Sequence, residues 1–465
     1  MTEKIEAFYK SLAGKKVAFI GTGVTNQSCI ELFKRHGAVI TLCDQKENLA
    51  AFGELAPRLE ALGIRLSLGE RYLDGLKGQD MIMRTPGFEN FRPELVAARE
   101  AGIDVTSEMQ LFFELCPCPI VAVTGSDGKT TTTTLIAEML KAAGKIVHLG
   151  GNLGRALLPA AQDMARTDIA VVELSSFQLI SMKSSPDIAV VTNVTPNHLD
   201  HHKDMREYVD AKRNILLYQK PTGKAVLGYE NDITRAMAAD VKGSYKWFTR
   251  FSTVESGGFL RDDGMLCMAE GGQVTPIVHK SEMGLRGEHN IENLLAAMTA
   301  LWGLVPVEAM VRVARDFKGV EHRIEPVRTL HGVQWFNDSI ATSPTRVIAG
   351  LRAFQQKLII IAGGSDKGIS FSPMVPDLLA HVKVLILTGA TARKIEDAVR
   401  ADEGFAASGL EIIQAEDMAG AVRIAAEKAQ PGDIVSLSPA CASFDSYPNF
   451  EARGRHYKQL VNALC

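Results

Sequence analysis

Short β-rich apolar runs alternate with amphipathic stretches along most of this chain, the rhythm expected of parallel sheets covered by helices. Residues 16–20 predict a first strand, 29–36 a helix and 39–43 a second strand. The rhythm pauses at Cys116-Pro117-Cys118-Pro119 and restarts with the apolar run 120–124. A further restart follows Phe317-Lys318-Gly319, after which 333–336, 358–361, 384–387 and 434–437 read as buried strands. Between 223 and 280 the pattern is less regular, and Gly257-Gly258, Gly264 and Gly271-Gly272 predict hairpins or a mixed sheet. There is no repeat of solenoid length and no low-complexity tail. Three α/β domains are expected, over 1–107, 108–319 and 320–465.

Composition narrows the class. A chain of 465 residues is too long for one ordinary domain. Its 46% hydrophobic and 23% charged residues are ordinary for a globular protein. A formal charge of -3 gives no footprint for nucleic acid. No apolar stretch is long enough to span a bilayer, and the first residues do not read as a signal peptide, so a cytoplasmic location is expected. Seven scattered cysteines argue against a disulfide framework, and Cys116 and Cys118 lack a second ligand pair nearby, so they read as structural.

The strongest motif is Val123-Thr124-Gly125-Ser126-Asp127-Gly128-Lys129-Thr130-Thr131, set between a predicted strand and the helical run 132–143. Glycines let backbone N–H groups turn toward phosphate oxygens, and a following helix N-terminus adds positive charge. Lys129 can reach the outer phosphates, and the Thr130 hydroxyl can ligate Mg²⁺. Val123 stands where the first glycine of the usual loop would be, but strand before and helix after support an ATP site.

Residues 168–173 predict a strand with Glu173 at its C-terminal end, where ligand sites form in parallel sheets, so Glu173 is a candidate Mg²⁺ ligand. A second strand, 188–192, runs into a segment holding His198, Asp200, His201 and His202. Such a cluster could suggest zinc. A zinc site leaves the phosphate loop and Glu173 without a role, so the preferred reading makes His198 a ligand of a nucleotide-bound divalent ion, with His201 and His202 as surface residues.

Gly21-Thr22-Gly23-Val24-Thr25-Asn26, with Asp44 further on, resembles a dinucleotide fingerprint. Asn26 replaces the third glycine, so the turn suits a diphosphate better than hydride chemistry. In the third domain, Gly363-Gly364-Ser365-Asp366-Lys367-Gly368 could form another anion loop but has no Lys-Thr pair entering a helix.

Taken together, these segments resemble the Mur ligases of peptidoglycan synthesis, and among them the D-glutamate-adding branch. Further carriers of the resemblance are Gly150 to Gly154, Gly287 to Asn293, His322 to Glu325, Asn337-Asp338-Ser339, and Ser438 to Ser443 with Asn449-Phe450-Glu451. The central motifs are shared with folylpolyglutamate synthases. The resemblance implies a Rossmann-like N-terminal domain, a central phosphate-loop ATPase domain and a Rossmann-like C-terminal domain. It implies an ATP-dependent amide-forming ligase with ATP and two Mg²⁺ ions, acting on UDP-N-acetylmuramoyl-L-alanine and D-glutamate, as a monomer. Val24, Thr25 and Asp44 would hold the UDP part, with Thr85 and Gly87 near the diphosphate and Asn152 at the muramoyl-peptide portion. Thr130 and Glu173 would serve one Mg²⁺, and His198 a second. Asn290 and Asn293, three apart on a helix, would meet adenine, and Arg323 and Asp338 would reach the nucleotide from the third domain. Thr342, Lys367, Ser443 and Phe450 would take D-glutamate. Lys212, which by sequence is a helix-surface lysine, matches a family lysine that is carbamylated. Two departures stand out: Asp127 replaces a common asparagine and is expected to cap the following helix, and Ile340 replaces a lysine. Two other classes use parts of the same pattern. A nucleotide-switch ATPase would not need Asn290, Arg323 and Lys367, and a nicotinamide dehydrogenase would leave Lys129 idle.

Overall fold

The structure, a computed structural model, describes residues 2–153, 156–198, 201–285, 287–366 and 370–465; the side chains of Val24 and Glu54 lie outside that description. Each apolar run of the first segment becomes a strand: β1 (Lys16–Ile20), β2 (Val39–Asp44), β3 (Arg65–Leu68), β4 (Met81–Arg84) and β5 (Asp104–Thr106). They form a parallel sheet in the order β3-β2-β1-β4-β5. Strand order reverses between β1 and β4, which opens a crevice at their carboxyl ends. The helix after β1 spans Val24–Arg35, starting earlier than the predicted 29–36. Asn26 explains how it packs without a third glycine. Its side chain is buried, and Nδ2 donates to the carbonyls of Ile20 (3.0 Å) and Gly21 (3.1 Å), satisfying the turn that a glycine would merely permit.

The second sheet contains β6 (Ile120–Thr124), β7 (Val147–Gly151), β8 (Ile169–Glu173), β9 (Ile188–Val191), β10 (Lys224–Gly228), β11 (Ser244–Thr249), β12 (Gly257–Leu260), β13 (Met265–Glu270) and β14 (Gln273–His279). Its order is β14-β13-β12-β11-β10-β9-β6-β8-β7. Pairing is parallel as far as β12, and β12, β13 and β14 are antiparallel, the mixed sheet expected of 223–280. All five residues of β6 are buried, which is why it reads as an unbroken apolar run. Helices Lys129–Ala142 and Glu288–Leu301 cover one face, with Ile136, Met139 and Leu140 in one apolar cluster with Leu294, Leu295 and Met298. A separate cluster runs from Ile5, Phe19 and Phe33 through Met109 and Phe112 to Val172 and Leu227, joining the first two sheets. Residues 1–317 thus form one compact unit.

Residues 318–465 form a second unit. It holds β15 (Glu325–Leu330), β16 (Val333–Asn337), β17 (Leu358–Ala362), β18 (Val382–Leu387), β19 (Glu411–Gln414) and β20 (Ile434–Leu437), ordered β15-β16-β20-β17-β18-β19. Among the described strands of this sheet, only the edge pair β15 and β16 is antiparallel. Apolar clusters lie on both faces of the sheet. The chain is therefore an α/β protein with three sheet-containing domains. Among the described residues, no helix is long and apolar enough to cross a membrane.

Candidate active site

Three parallel strands deliver the central site. β6 ends in the phosphate loop, β8 ends in Glu173, and β9 leads to Asn193. Val123 lies inside β6, fully buried, and its carbonyl accepts from Leu174 N–H at 2.8 Å. The loop proper therefore begins at Gly125, which accounts for the missing first glycine. Gly125 has φ +149°, and a Cβ there would stand 1.8 Å from Thr192 Oγ1. Gly128 has φ +78°, and its Cβ would meet Asn293 Oδ1 at 2.2 Å, so both positions require glycine. Gly128 also serves as the N-cap, so the helix begins at Lys129, three residues before the predicted 132. The capping role expected of Asp127 is not observed. Its side chain makes no cap bond, and its backbone instead pins the loop, with N–H donating to Asn193 Oδ1 (2.9 Å) and the carbonyl accepting from Thr192 Oγ1 (2.6 Å). Lys129 Nζ lies over the loop, donating to the carbonyls of Gly125 (3.0 Å) and Ser126 (2.8 Å). Ser126 Oγ meets Tyr208 Oη at 2.9 Å. Thr131 follows in the first helical turn.

Glu173 is buried, and its two oxygens are engaged separately. Thr130 Oγ1 donates to Oε2 at 2.7 Å, and Asn152 Nδ2 donates to Oε1 at 2.6 Å. Asn152 thus belongs to the carboxylate's surroundings. A threonine hydroxyl beside an ionisable carboxylate is a hard-oxygen donor pair, which fits Mg²⁺ and not a soft metal. Asn290 and Asn293 share one face of their helix as expected: Asn293 Nδ2 donates to Asn290 Oδ1 at 2.9 Å, and Asn293 Oδ1 accepts from Thr132 Oγ1 at 3.2 Å.

The histidines separate. His198 is exposed, adopts φ 55°, a strained value outside glycine, and meets the Phe177 ring edge-on at 5.3 Å. His201 is exposed as expected. His202 corrects the surface reading. It is buried, stacks on Phe177 at 5.1 Å, and bonds Glu207 Oε1 through Nδ1 (3.0 Å) and Ser176 Oγ through Nε2 (2.9 Å). Both ring nitrogens are engaged, so His202 orders the segment and is no free ligand. Asp200 lies outside the described residues.

Lys212 corrects the sequence more sharply. On helix Met205–Leu217 it faces inward at 1% exposure, with Nζ donating to Gly125 O at 2.7 Å and lying 4.6 Å from the Tyr208 ring centre. Burial, aided by the nearby Lys129 charge, holds its ammonium well below the usual lysine range. Tyr208, one turn earlier on the same face, is a residue the sequence reading missed, and its spacing of four from Lys212 was the only local signal for it.

In the first sheet, Thr25 and Asp44 are partly buried at the ends of the β1 turn and β2, and Thr85 packs beside Gly21 and Gly23 across the crevice. Gly87 follows in the same loop. The side chain of Val24 lies outside the description.

In the second unit, Arg453, which sequence reasoning missed, assembles the candidate acceptor segments. Buried at 2% exposure, it bonds Ser339 Oγ (3.0 Å), Ser339 O (2.9 Å), Cys441 O (3.1 Å) and Ala442 O (3.0 Å). It thereby ties the helix Phe450–Ala463 to the segments carrying Thr342 and buried Ser443. Phe450 O accepts from Ser339 Oγ at 2.8 Å. Lys367 lies outside the described residues. Arg323 is exposed next to His322, whose Nδ1 meets Asn337 Nδ2 at 2.8 Å.

Asp338 is buried and accepts from Ile324 N–H at 3.2 Å, and burial pushes its carboxyl up to about 7, with Arg323 and Arg346 pulling the other way. The folded chain keeps this proton longer than the unfolded chain. The associated stability is complete below the ordinary carboxylate range and is lost as pH rises toward about 7. Calorimetric unfolding should therefore shift to lower temperature over that interval. Asp338→Asn should flatten that slope, and a slope as steep as wild type would exclude Asp338 as its source.

A doubly wound first sheet, a phosphate-loop sheet with a Thr130–Glu173 pair and a third α/β unit define the class. Three family models match successive stretches: Mur ligase MurD-like N-terminal domain over 15–107, Mur ligase middle domain over 123–301, and Mur ligase glutamate ligase domain over 322–441. The chain belongs to the Mur ligase family. Within it, the chain is 47% identical to the UDP-N-acetylmuramoylalanine–D-glutamate ligase of Acetivibrio thermocellus and 45% identical to that of Clostridium novyi, with 100% of each chain covered. It is 47% identical to that of Symbiobacterium thermophilum, covering 97% of this chain and 98% of the relative. The fold is also that of the UDP-N-acetylmuramate-alanine ligase of Thermotoga maritima (TM-score 0.52, 17% identity, 96% of this chain and 99% of that one). A pseudomurein peptide ligase type C from Methanothermus fervidus is similar too (TM-score 0.51, 18% identity, 97% and 99%).

Proposed function

We propose that the chain is a cytoplasmic, monomeric, ATP-dependent ligase that joins D-glutamate to UDP-N-acetylmuramoyl-L-alanine in peptidoglycan precursor synthesis. The observation that carries this reading is the phosphate loop whose Thr130 hydroxyl meets buried Glu173, in a chain matched end to end by relatives named for that activity. Residues 1–107 take the UDP portion at Val24, Thr25, Asp44, Thr85 and Gly87, with Asn152 at the muramoyl-peptide part. Residues 108–319 take ATP at 125–131, Asn290 and Asn293. Thr342, Lys367, Ser443 and the Phe450 N–H receive the two carboxylates of D-glutamate.

The difficult step is making a carboxylate electrophilic. The substrate carboxylate attacks the γ-phosphorus of ATP, giving an acyl phosphate and ADP. The D-glutamate amine adds to that carbonyl, and the tetrahedral adduct loses a proton and expels phosphate, leaving the amide. Lys129 neutralises charge on the transferring phosphoryl group. Thr130 and Glu173 would hold one Mg²⁺, and His198 with Lys212 as a carbamate would hold a second. When bound, these ions screen the phosphate charges and polarise the phosphoryl oxygens.

An acceptor panel tests the reading. ADP release should require UDP-N-acetylmuramoyl-L-alanine and respond to D-glutamate above every other D- or L-amino acid. Turnover with a folate acceptor and L-glutamate, or ADP release without an amino acid, would overturn it.

A further inference from the structure

The β4 strand ends in an arginine that the reaction does not account for. Arg84 is 2% exposed, and its guanidinium makes five hydrogen bonds to neutral oxygens. Nη1 donates to the carbonyls of Thr85 (3.2 Å), Pro86 (3.0 Å) and Phe88 (2.6 Å), the loop at the crevice mouth. Nη2 crosses to the second sheet's domain, donating to Phe177 O (2.9 Å) and Ser181 Oγ (2.8 Å). Burying a guanidinium against neutral acceptors alone is expensive, so a hydrophobic residue would join two domains at lower cost. Arg99, also partly buried, adds a second cation close by, and it too bonds neutral oxygens, the Asn90 carbonyl (2.8 Å) and Oδ1 (2.6 Å). The crevice loop therefore rests on unneutralised positive charge, the electrostatic complement of a diphosphate.

The other end of Arg84 leads toward the chemistry. Phe177 lies in the short helix Ser176–Leu179, which begins three residues after Glu173. Its ring stacks on His202 and meets His198 edge-on. One guanidinium thus holds both the loop that a diphosphate would press on and the backbone that orients His198.

Resting on the proposed reading of the crevice as the UDP site, we propose that Arg84 is a positioning residue that couples diphosphate occupancy of the crevice to the arrangement of the ATP site, through Phe177 and Ser181. Diphosphate over residues 85–87 compensates the buried charge and tightens the loop on Arg84, which fixes the Phe177 backbone and the histidine beside it. UDP and a non-hydrolysable ATP analogue, present with Mg²⁺, should then favour each other's binding reciprocally, by a factor within the usual range of about 5 to 150.

Calorimetric titration of the full chain with each ligand, alone and with the other saturating, measures that factor. Arg84→Met should weaken UDP by about 10-fold or more, the loss of charge-assisted interactions, and bring the coupling factor close to one, leaving the ATP analogue alone little changed. Arg84→Lys keeps the charge without the five-bond geometry, so it should recover part of the UDP affinity and little of the coupling. Because Arg84→Met also strips partners from buried carbonyls, Ser181→Ala provides the milder cut. It should retain UDP affinity and unfolding temperature while lowering the coupling factor, which a purely structural role would leave unmoved. A wild-type factor of one, or undiminished coupling in Arg84→Met and Ser181→Ala, overturns the proposal. Failure of the wild type to bind UDP at all overturns the crevice reading itself, and the coupling with it.

Discussion

Lys212→Ala should be almost inactive in a chain that still folds, and small carboxylates such as acetate should restore part of the activity. Lys212 Nζ sits against the Gly125 carbonyl in the floor of the phosphate loop, with Lys129 nearby. A second free ammonium there is the wrong partner for bound divalent ions. Burial favours the neutral amine, the form that adds to CO₂ to give a carbamate and a proton. A carbamate supplies anionic hard oxygens at the depth where the lysine ends. Acetate in the space left by alanine would provide the same oxygens without the tether. Steady-state assays with and without acetate decide it, and full activity of Lys212→Ala would remove the carbamate from the reaction.

Lys129→Ala should cost about 10²–10³ in turnover, the usual loss for one preorganised charge facing a developing anion. The loop itself should survive. The variant loses the Lys129 bonds to the Gly125 and Ser126 carbonyls, but Gly125 and Gly128 and the bonds of the Asp127 backbone with Thr192 and Asn193 still hold the loop's shape. Circular dichroism and calorimetry establish that the fold is retained, and single-turnover ADP formation reads the chemistry. Near-normal turnover in a folded preparation would detach Lys129 from phosphoryl transfer.

Much of this architecture is legible in the order of residues. Apolar runs such as 120–124 and 358–361 are strands because a parallel strand is buried on both faces and tolerates no polar alternation. The phosphate loop is legible because glycine, lysine and threonine at that spacing serve a local geometry, a strand turning into a helix. Asn290 and Asn293 are legible for the same reason, since a helix alone sets their shared face.

The sequence by itself determined the α/β class, the three sheets, the phosphate loop and Glu173 at a strand end, because all depend on periodicity or contacts within a few residues. Only the tertiary structure decided the rest. Lys212 reads as a surface lysine until its helix is docked, when that face closes over Gly125 and buries the amine. His202 and Arg453 likewise acquire their roles from partners such as Ser176 and Ser339, the latter 114 positions away. Which face of a helix is buried, and which distant carbonyls a buried cation satisfies, are set by packing between segments, and local pattern carries no record of it.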